Sequence, residues 1–245
     1  MIKVEDCETS FGTILIFKMR ATGATLYEQG GCCQSEADIN GVSLASYVHA
    51  LYGLLLQTNA QKILLIGCGG GTLGTMLARS KRSVTIVDVN PASFVLARRY
   101  FALADNIDCK VADGKEFLRS AEQTYDAIVL DAYHGERIPP HLKSSQFFQL
   151  LGSRLAPGGV VFANIHVKYD LDDDADRIAS CMNEVWAEVR LLDSKEIGAR
   201  NVIVMAGAVS GLDEPLMLMP PAHGCDEIES ELAAMGFCAS SALRR

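Results

Sequence analysis

Apolar and polar positions change rhythm twice along the 245 residues. Residues 13–19 (TILIFKM) and 24–28 (ATLYE) are short β-favouring runs joined through Ala21, Thr22 and Gly23, and Gly30 with Gly31 marks a following turn. They predict a small β unit within residues 1–45, too small to be stable alone and therefore packed on the rest. Residues 42–57 carry apolar side chains at helical spacing and predict a connecting helix. From residue 61 onward apolar runs and helical stretches alternate. Runs at 62–66 (KILLI), 84–88 (VTIVD), 109–112, 126–131 (DAIVLD) and 159–165 (GVVFANI) predict strands. Stretches near 72–79, 91–104, 114–121 and 144–155 predict the intervening helices, the last stopped by Pro157, Gly158 and Gly159.

Strands apolar on both faces and separated by helices indicate a parallel sheet covered on both sides. A helix near 173–186 follows, its start marked by the acidic run at 170–176. Strands at 187–192 and 201–206 are then joined too tightly for a parallel crossover, so one must run antiparallel. The expected fold class is α/β: a doubly wound, seven-stranded, mostly parallel sheet over 46–245, preceded by the small β unit. A short helix at 226–235 and frayed final residues complete the expectation.

Composition narrows the function classes. No apolar run reaches the length of a membrane span, and residues 1–6 lack a signal-peptide core, so a cytoplasmic location is expected. Eight cysteines include no C-x-x-C pair and no cluster beside spaced histidines, which points to reduced thiols and no metal site. A formal net charge of −8 disfavours general nucleic-acid binding. A small-molecule partner is expected, and the β unit is compatible with a homodimer.

The sequence IGCGGGTLG at 66–74 follows one predicted strand and opens a predicted helix. Glycines there allow positive φ and close backbone approach to a bulky ligand. Gly69, Gly71 and Gly74 fit a dinucleotide fingerprint, while Gly67, Gly69 and Gly71 fit an adenosyl-sulfonium loop equally well. Asp88 ends the second strand, where a carboxylate can accept both ribose hydroxyls in either class; Asn90 before Pro91 is the better helix cap. Asp113 with Gly114 closes the third strand and can accept from an adenine amino group, which favours the sulfonium cofactor over NAD. Asp131, ending the fourth strand, can hold an ammonium and take its proton, or cap the loop that follows.

From about residue 14 to 206 the chain resembles the spermidine synthase family, the polyamine aminopropyltransferases, within the class I S-adenosylmethionine-dependent methyltransferase superfamily. The carriers are GCGGGTLG, VDVN (87–90), ADGKEFL (112–118), YDAIVLDAY (125–133) and LAPGGV (155–160), with GGCCQS and SYVH upstream. The resemblance implies that Gly67, Cys68, Gly69, Gly70, Gly71, Asp88, Val89, Asp113, Gly114 and Gln34 hold the cofactor. It implies Asp131 as general base and anchor of the attacking amine, with Gln34 and Tyr47 lining the donor and acceptor pocket; Tyr133 and His134 beside Asp131 are further catalytic candidates, and Glu136 is a candidate acceptor ligand. Two departures matter: Gly70 and His134 stand where the family carries carboxylates that hold amines. S-adenosylmethionine or its decarboxylated form is the expected cofactor, with methyl transfer slightly ahead of aminopropyl transfer because of Gly70. The alternatives are an authentic polyamine aminopropyltransferase and an inactive, regulatory cofactor-binding protein. Arg137, Ile138, Pro139 and Pro140 read as a stiff lid over the pocket, and Cys68 as a small residue that fits the loop.

Overall fold

The computed structural model describes residues 1–194 and 198–238. It opens with an antiparallel meander of β1 (Ile2–Cys7), β2 (Ile14–Lys18), β3 (Thr25–Gln29) and β4 (Cys32–Ala37), adjacent in that order. The apolar pattern predicts β2 and β3; β1 and β4 (IKVEDC, CCQSEA) are too polar to show it. One face of the meander is dry, with Ile14, Ile16 and Tyr27 packed against Leu96 and Phe101 of the main body. Burial of that face fastens an element too small to stand alone.

Helix α1 (Ser46–Gln57) starts later than the pattern suggests. Asp38 turns the chain first, its Oδ1 accepting the amides of Asn40 and Val42 at 2.9 and 2.8 Å. Then come β5 (Lys62–Ile66), α2 (Thr72–Arg79), β6 (Ser83–Asp88), α3 (Pro91–Tyr100), β7 (Asp108–Val111), α4 (Gly114–Ser120) and β8 (Tyr125–Leu130). The chain continues through α5 (Ser145–Gly152), β9 (Leu155–Val167), α6 (Asp174–Asn183), β10 (Val189–Ser194), β11 (Arg200–Gly207), α7 (Cys225–Ala234) and β12 (Met235–Cys238). Helix α3 ends at Tyr100, short of the expected 104, because Ala102 takes a left-handed φ of +54°. Asp174 and Asp176 of the acidic run sit in the first turn of α6. The expected fraying of the last residues falls on 239–245, outside the described residues.

The main sheet has the order β12-β10-β11-β9-β8-β5-β6-β7. Strands β9 to β7 are parallel, and β11 runs antiparallel to both β9 and β10. The seven expected strands are present, and β12 adds an eighth at the edge, four residues long and too short to show a period. Alternation splits the apolar runs between two cores. Ile63, Leu65, Ala127 and Val129 face α1, α2 and α7, whereas Leu64, Ile66, Ile128 and Leu130 face α4, α5 and α6. A sheet apolar on both faces must be covered on both. The strand order reverses at β5, which lies between β8 and β6, so the crevice where ligands bind opens at their carboxyl ends. Among the described residues no helix is long and apolar enough to cross a membrane.

Candidate functional site

At that crevice lies a cavity of about 930 Å³. Its floor is made by the tips of β5, β6, β8 and β9, and its roof by β4 and the loop after β8. The loop leaves β5 through Gly67, Gly69 and Gly71, with φ of +108°, +49° and +69°. The tightest position is Gly67: a Cβ there would lie 2.0 Å from the carbonyl oxygen of Asp131. The loop can therefore pass between β6 and β8 only as glycine.

Gly67, Cys68 and Gly69 line the cavity, but Gly70 and Gly71, expected beside them, do not. Both are buried, because the loop turns inward there to start α2. Added Cβ atoms would meet the Phe101 ring at 2.7 Å from Gly70 and Leu103 at 2.6 Å from Gly71. The space that a loop carboxylate would need is thus filled by a core phenylalanine.

Asp88 ends β6 at the cavity wall, with Val89 exposed beside it. Its Oδ2 accepts the Cys68 amide and its Oδ1 the Asn90 amide, each at 2.8 Å. Each oxygen keeps a further lone pair, so a ribose diol fits. Burial pushes its carboxyl up, against those two amides. Asn90, not Asp88, caps α3 by accepting the Ala92 amide at 3.1 Å.

Asp113 does cap α4, accepting the amides of Lys115 and Glu116 at 2.9 and 3.1 Å on Oδ1, with Gly114 buried behind it. Its Oδ2 accepts from His141 Nε2 at 2.7 Å. Burial raises its carboxyl, but His141 and the amides outweigh that and hold it low. An adenine amino group at Oδ2 would share that oxygen with the imidazole.

Asp131 follows β8, and its half-buried side chain stands at the cavity wall. Burial pushes its carboxyl up to about 6, while the Asn164 amide, donating to Oδ1 at 2.8 Å, pulls the other way. Asn164 Oδ1 in turn accepts from Asn201 Nδ2 at 2.9 Å. Tyr133 OH donates to the Asn164 carbonyl at 2.8 Å and accepts the His166 amide at 2.7 Å, so it braces β9. Tyr47 reaches the same wall from α1; burial, and then the charge of Asp131, push its phenol well up.

The roof connects distant segments. Gln34 Nε2 donates to the Gly135 carbonyl at 3.0 Å, tying β4 to the loop over the site. His134 pairs with Arg137 through backbone and is exposed. Glu136 is bound to the Lys168 ammonium, which holds its carboxyl low, so it is not a ready ligand for an acceptor amine. Ile138 and Leu142 are buried in the second core and pin the proline segment between them. Asn164, Asn201, His141 and Lys168 were not singled out by sequence pattern. The polar Asn164 and His166 in an otherwise apolar strand gave the one local signal.

A methyltransferase-domain family model matches residues 63–159. A probable polyamine aminopropyl transferase of Bifidobacterium longum is 30% identical over 170 residues, 65% of this chain and 38% of that protein. A polyamine aminopropyltransferase of Vibrio vulnificus is 35% identical over 121 residues, 46% of this chain and 40% of that protein. The chain thus spans less than half the length of these curated relatives. A probable spermidine synthase from Corynebacterium glutamicum superposes with a TM-score of 0.79 at 20% identity, covering 99% of this chain and 91% of the other. A spermidine synthase in complex with the transition state analogue AdoDATO superposes with a TM-score of 0.70 at 18% identity, covering 95% and 85%. The chain is similar to polyamine aminopropyltransferases in sequence, its residues 63–159 match a methyltransferase domain, and its fold is that of the solved spermidine synthases.

Proposed function

We propose that the cavity binds decarboxylated S-adenosylmethionine and that the protein transfers its aminopropyl group to a small amine. The observation that carries this reading is Asp131: a carboxyl pushed up to about 6, fixed by Asn164 in the same cavity as Asp88 and Asp113. The relatives favour aminopropyl over methyl transfer, reversing the order expected from Gly70. Residues 1–45 serve as the roof of the site.

In this reading Asp88 takes the ribose, Asp113 the adenine, and the loop at Gly67–Gly69 gives the sulfur backbone-close approach. When bound, the donor supplies an alkyl group on a cationic sulfur that leaves as a neutral thioether with the electron pair of the broken C–S bond. Asp131 orients the acceptor nitrogen and accepts one of its protons at a carboxylate oxygen, leaving a lone pair free to attack. Asn164 and Asn201 fix the carboxylate, and Tyr47 and Tyr133 exclude water around it.

One observation favours methyl transfer as a second reading: Phe101 fills the room beside Gly70 where a carboxylate would hold the donor's ammonium. Calorimetry separates the two. The decarboxylated donor is expected to bind at least about tenfold more tightly than S-adenosylmethionine, a difference of ~1.4 kcal/mol. The opposite order supports methyl transfer, and equal, turnover-free binding of both supports a regulatory role.

A further inference from the structure

Each turnover of the proposed transfer must shed one proton. The acceptor enters as an ammonium, and one N–H bond breaks with its electron pair left on nitrogen. That pair forms the new N–C bond while the C–S pair departs on sulfur, so the product nitrogen is again a cation. A proton that stayed on Asp131 would neutralise the carboxylate just as that cation forms beside it. Only the ionised form stabilises a neighbouring cation. The chemistry thus asks for a second proton acceptor at this end of the cavity.

Most groups there cannot serve. Tyr133 donates its hydroxyl proton to the Asn164 carbonyl and accepts the His166 amide. Burial pushes the Tyr47 phenol well up, so it keeps its own proton. Glu136 is bound by Lys168, which holds its carboxyl low and makes it a poor base. His134 lines the cavity but stands exposed on the loop, paired through its backbone with Arg137. His166 is half-buried in the same lining, and its ring has no hydrogen-bond partner among the described residues. A neutral imidazole keeps one nitrogen lone pair for a proton.

The backbone fixes where that ring stands. The His166 amide donates to Tyr133 OH at 2.7 Å, and the residue lies opposite Asn201 in the β9–β11 register. Side chains alternate along a strand, so His166 shares a face of β9 with Asn164, whose amide holds Asp131 at 2.8 Å. Two residues of strand rise set these positions about 7 Å apart, a span that one ordered water closes. With Tyr47 and Tyr133 keeping bulk water from the carboxylate, the proton needs such a path. On its other side the ring is close enough to help hold the Glu136 carboxyl low, and Glu136 is exposed at the rim, where a proton can pass to solvent.

We propose that His166 is the proton relay of the transfer, taking the acceptor's proton on from Asp131 and releasing it at the rim. This rests on the reading that Asp131 receives that proton. The test uses the whole protein with decarboxylated S-adenosylmethionine and a panel of primary amines, and reads the methylthioadenosine formed. His166→Ala is expected to lower kcat at least about tenfold, while methylthioadenosine affinity changes less than about twofold. Added imidazole, a free copy of the missing ring, is expected to raise the turnover of this variant severalfold and to leave the wild type unchanged. His166→Gln, which keeps a hydrogen-bonding side chain but takes no proton, should show the same loss of kcat and carries the test should alanine not fold. Unchanged turnover in His166→Ala, a loss that imidazole does not relieve, or wild-type turnover in His166→Gln overturns the inference, as does imidazole rescue confined to His134→Ala. A wild-type protein that forms no methylthioadenosine with any amine overturns the transfer reading, and the relay falls with it.

Discussion

Asp131→Asn is expected to lower turnover by about 10²–10⁴-fold, the usual contribution of a positioned acid or base, while donor affinity changes less than about twofold. Asparagine keeps the shape and can still accept from Asn164, so the fold and the donor contacts at Asp88 and Asp113 survive. It can neither take a proton nor hold an ammonium. The wild-type pH profile carries the same signature. Asp131 must be ionised to act, so kcat/KM should fall as pH drops through about 6. Because the folded state raises this carboxyl above its unfolded value, folding binds a proton between the two values. This group therefore favours the folded state at low pH, and that benefit is lost as pH rises through about 6. Asp131→Asn should accordingly raise Tm at pH 8 and leave it nearly unchanged at pH 4. Equal turnover in the variant would remove Asp131 from catalysis, and a Tm gain at acid but not alkaline pH would contradict its burial as a charge.

Gly67→Ala is expected to abolish measurable donor binding and to lower Tm by several degrees. Alanine is strained at a φ of +108°, and its Cβ would sit 2.0 Å from the backbone oxygen of Asp131, which cannot rotate away. Relief requires β5 and β8 to part, although the Gly67 amide is bonded to Val87 O at 2.8 Å and the Asp131 amide to Ile66 O at 2.9 Å. Separation moves the loop off Asp88, whose carboxylate holds the Cys68 amide, and so disturbs ribose and base sites together. A strained backbone plus a clash costs on the order of 2–4 kcal/mol. Thermal melting and titration with methylthioadenosine check both halves. A variant with wild-type Tm and affinity would show that the loop follows another path.

Much of this site was legible because its chemistry sits where patterns end. Asp88 and Asp131 terminate or follow apolar runs and Asp113 follows the short strand β7, and parallel strands bring such ends to one edge. What pattern could not show are partners supplied across the chain. Gln34 reaches Gly135 over 101 positions, His141 reaches Asp113 over 28, and Asn201 reaches Asn164 over 37. Nothing local to Glu136 signals that Lys168 neutralises it, which is why it read as an acceptor ligand. Gly70 read as an open cofactor contact for the same reason, since Phe101 lies 31 positions on and fills its space from the far side of α3. In the fold, β1 and β4 escaped notice because an edge or roof strand half in water needs no apolar run.

The most direct test is a crystal structure of the protein grown with methylthioadenosine. The ribose hydroxyls should lie within hydrogen-bonding distance of Asp88, the adenine amino group beside Asp113, and the thioether sulfur between Gly67 and Asp131. Density for the nucleoside elsewhere, or an empty rim at saturating ligand, would contradict the assignment.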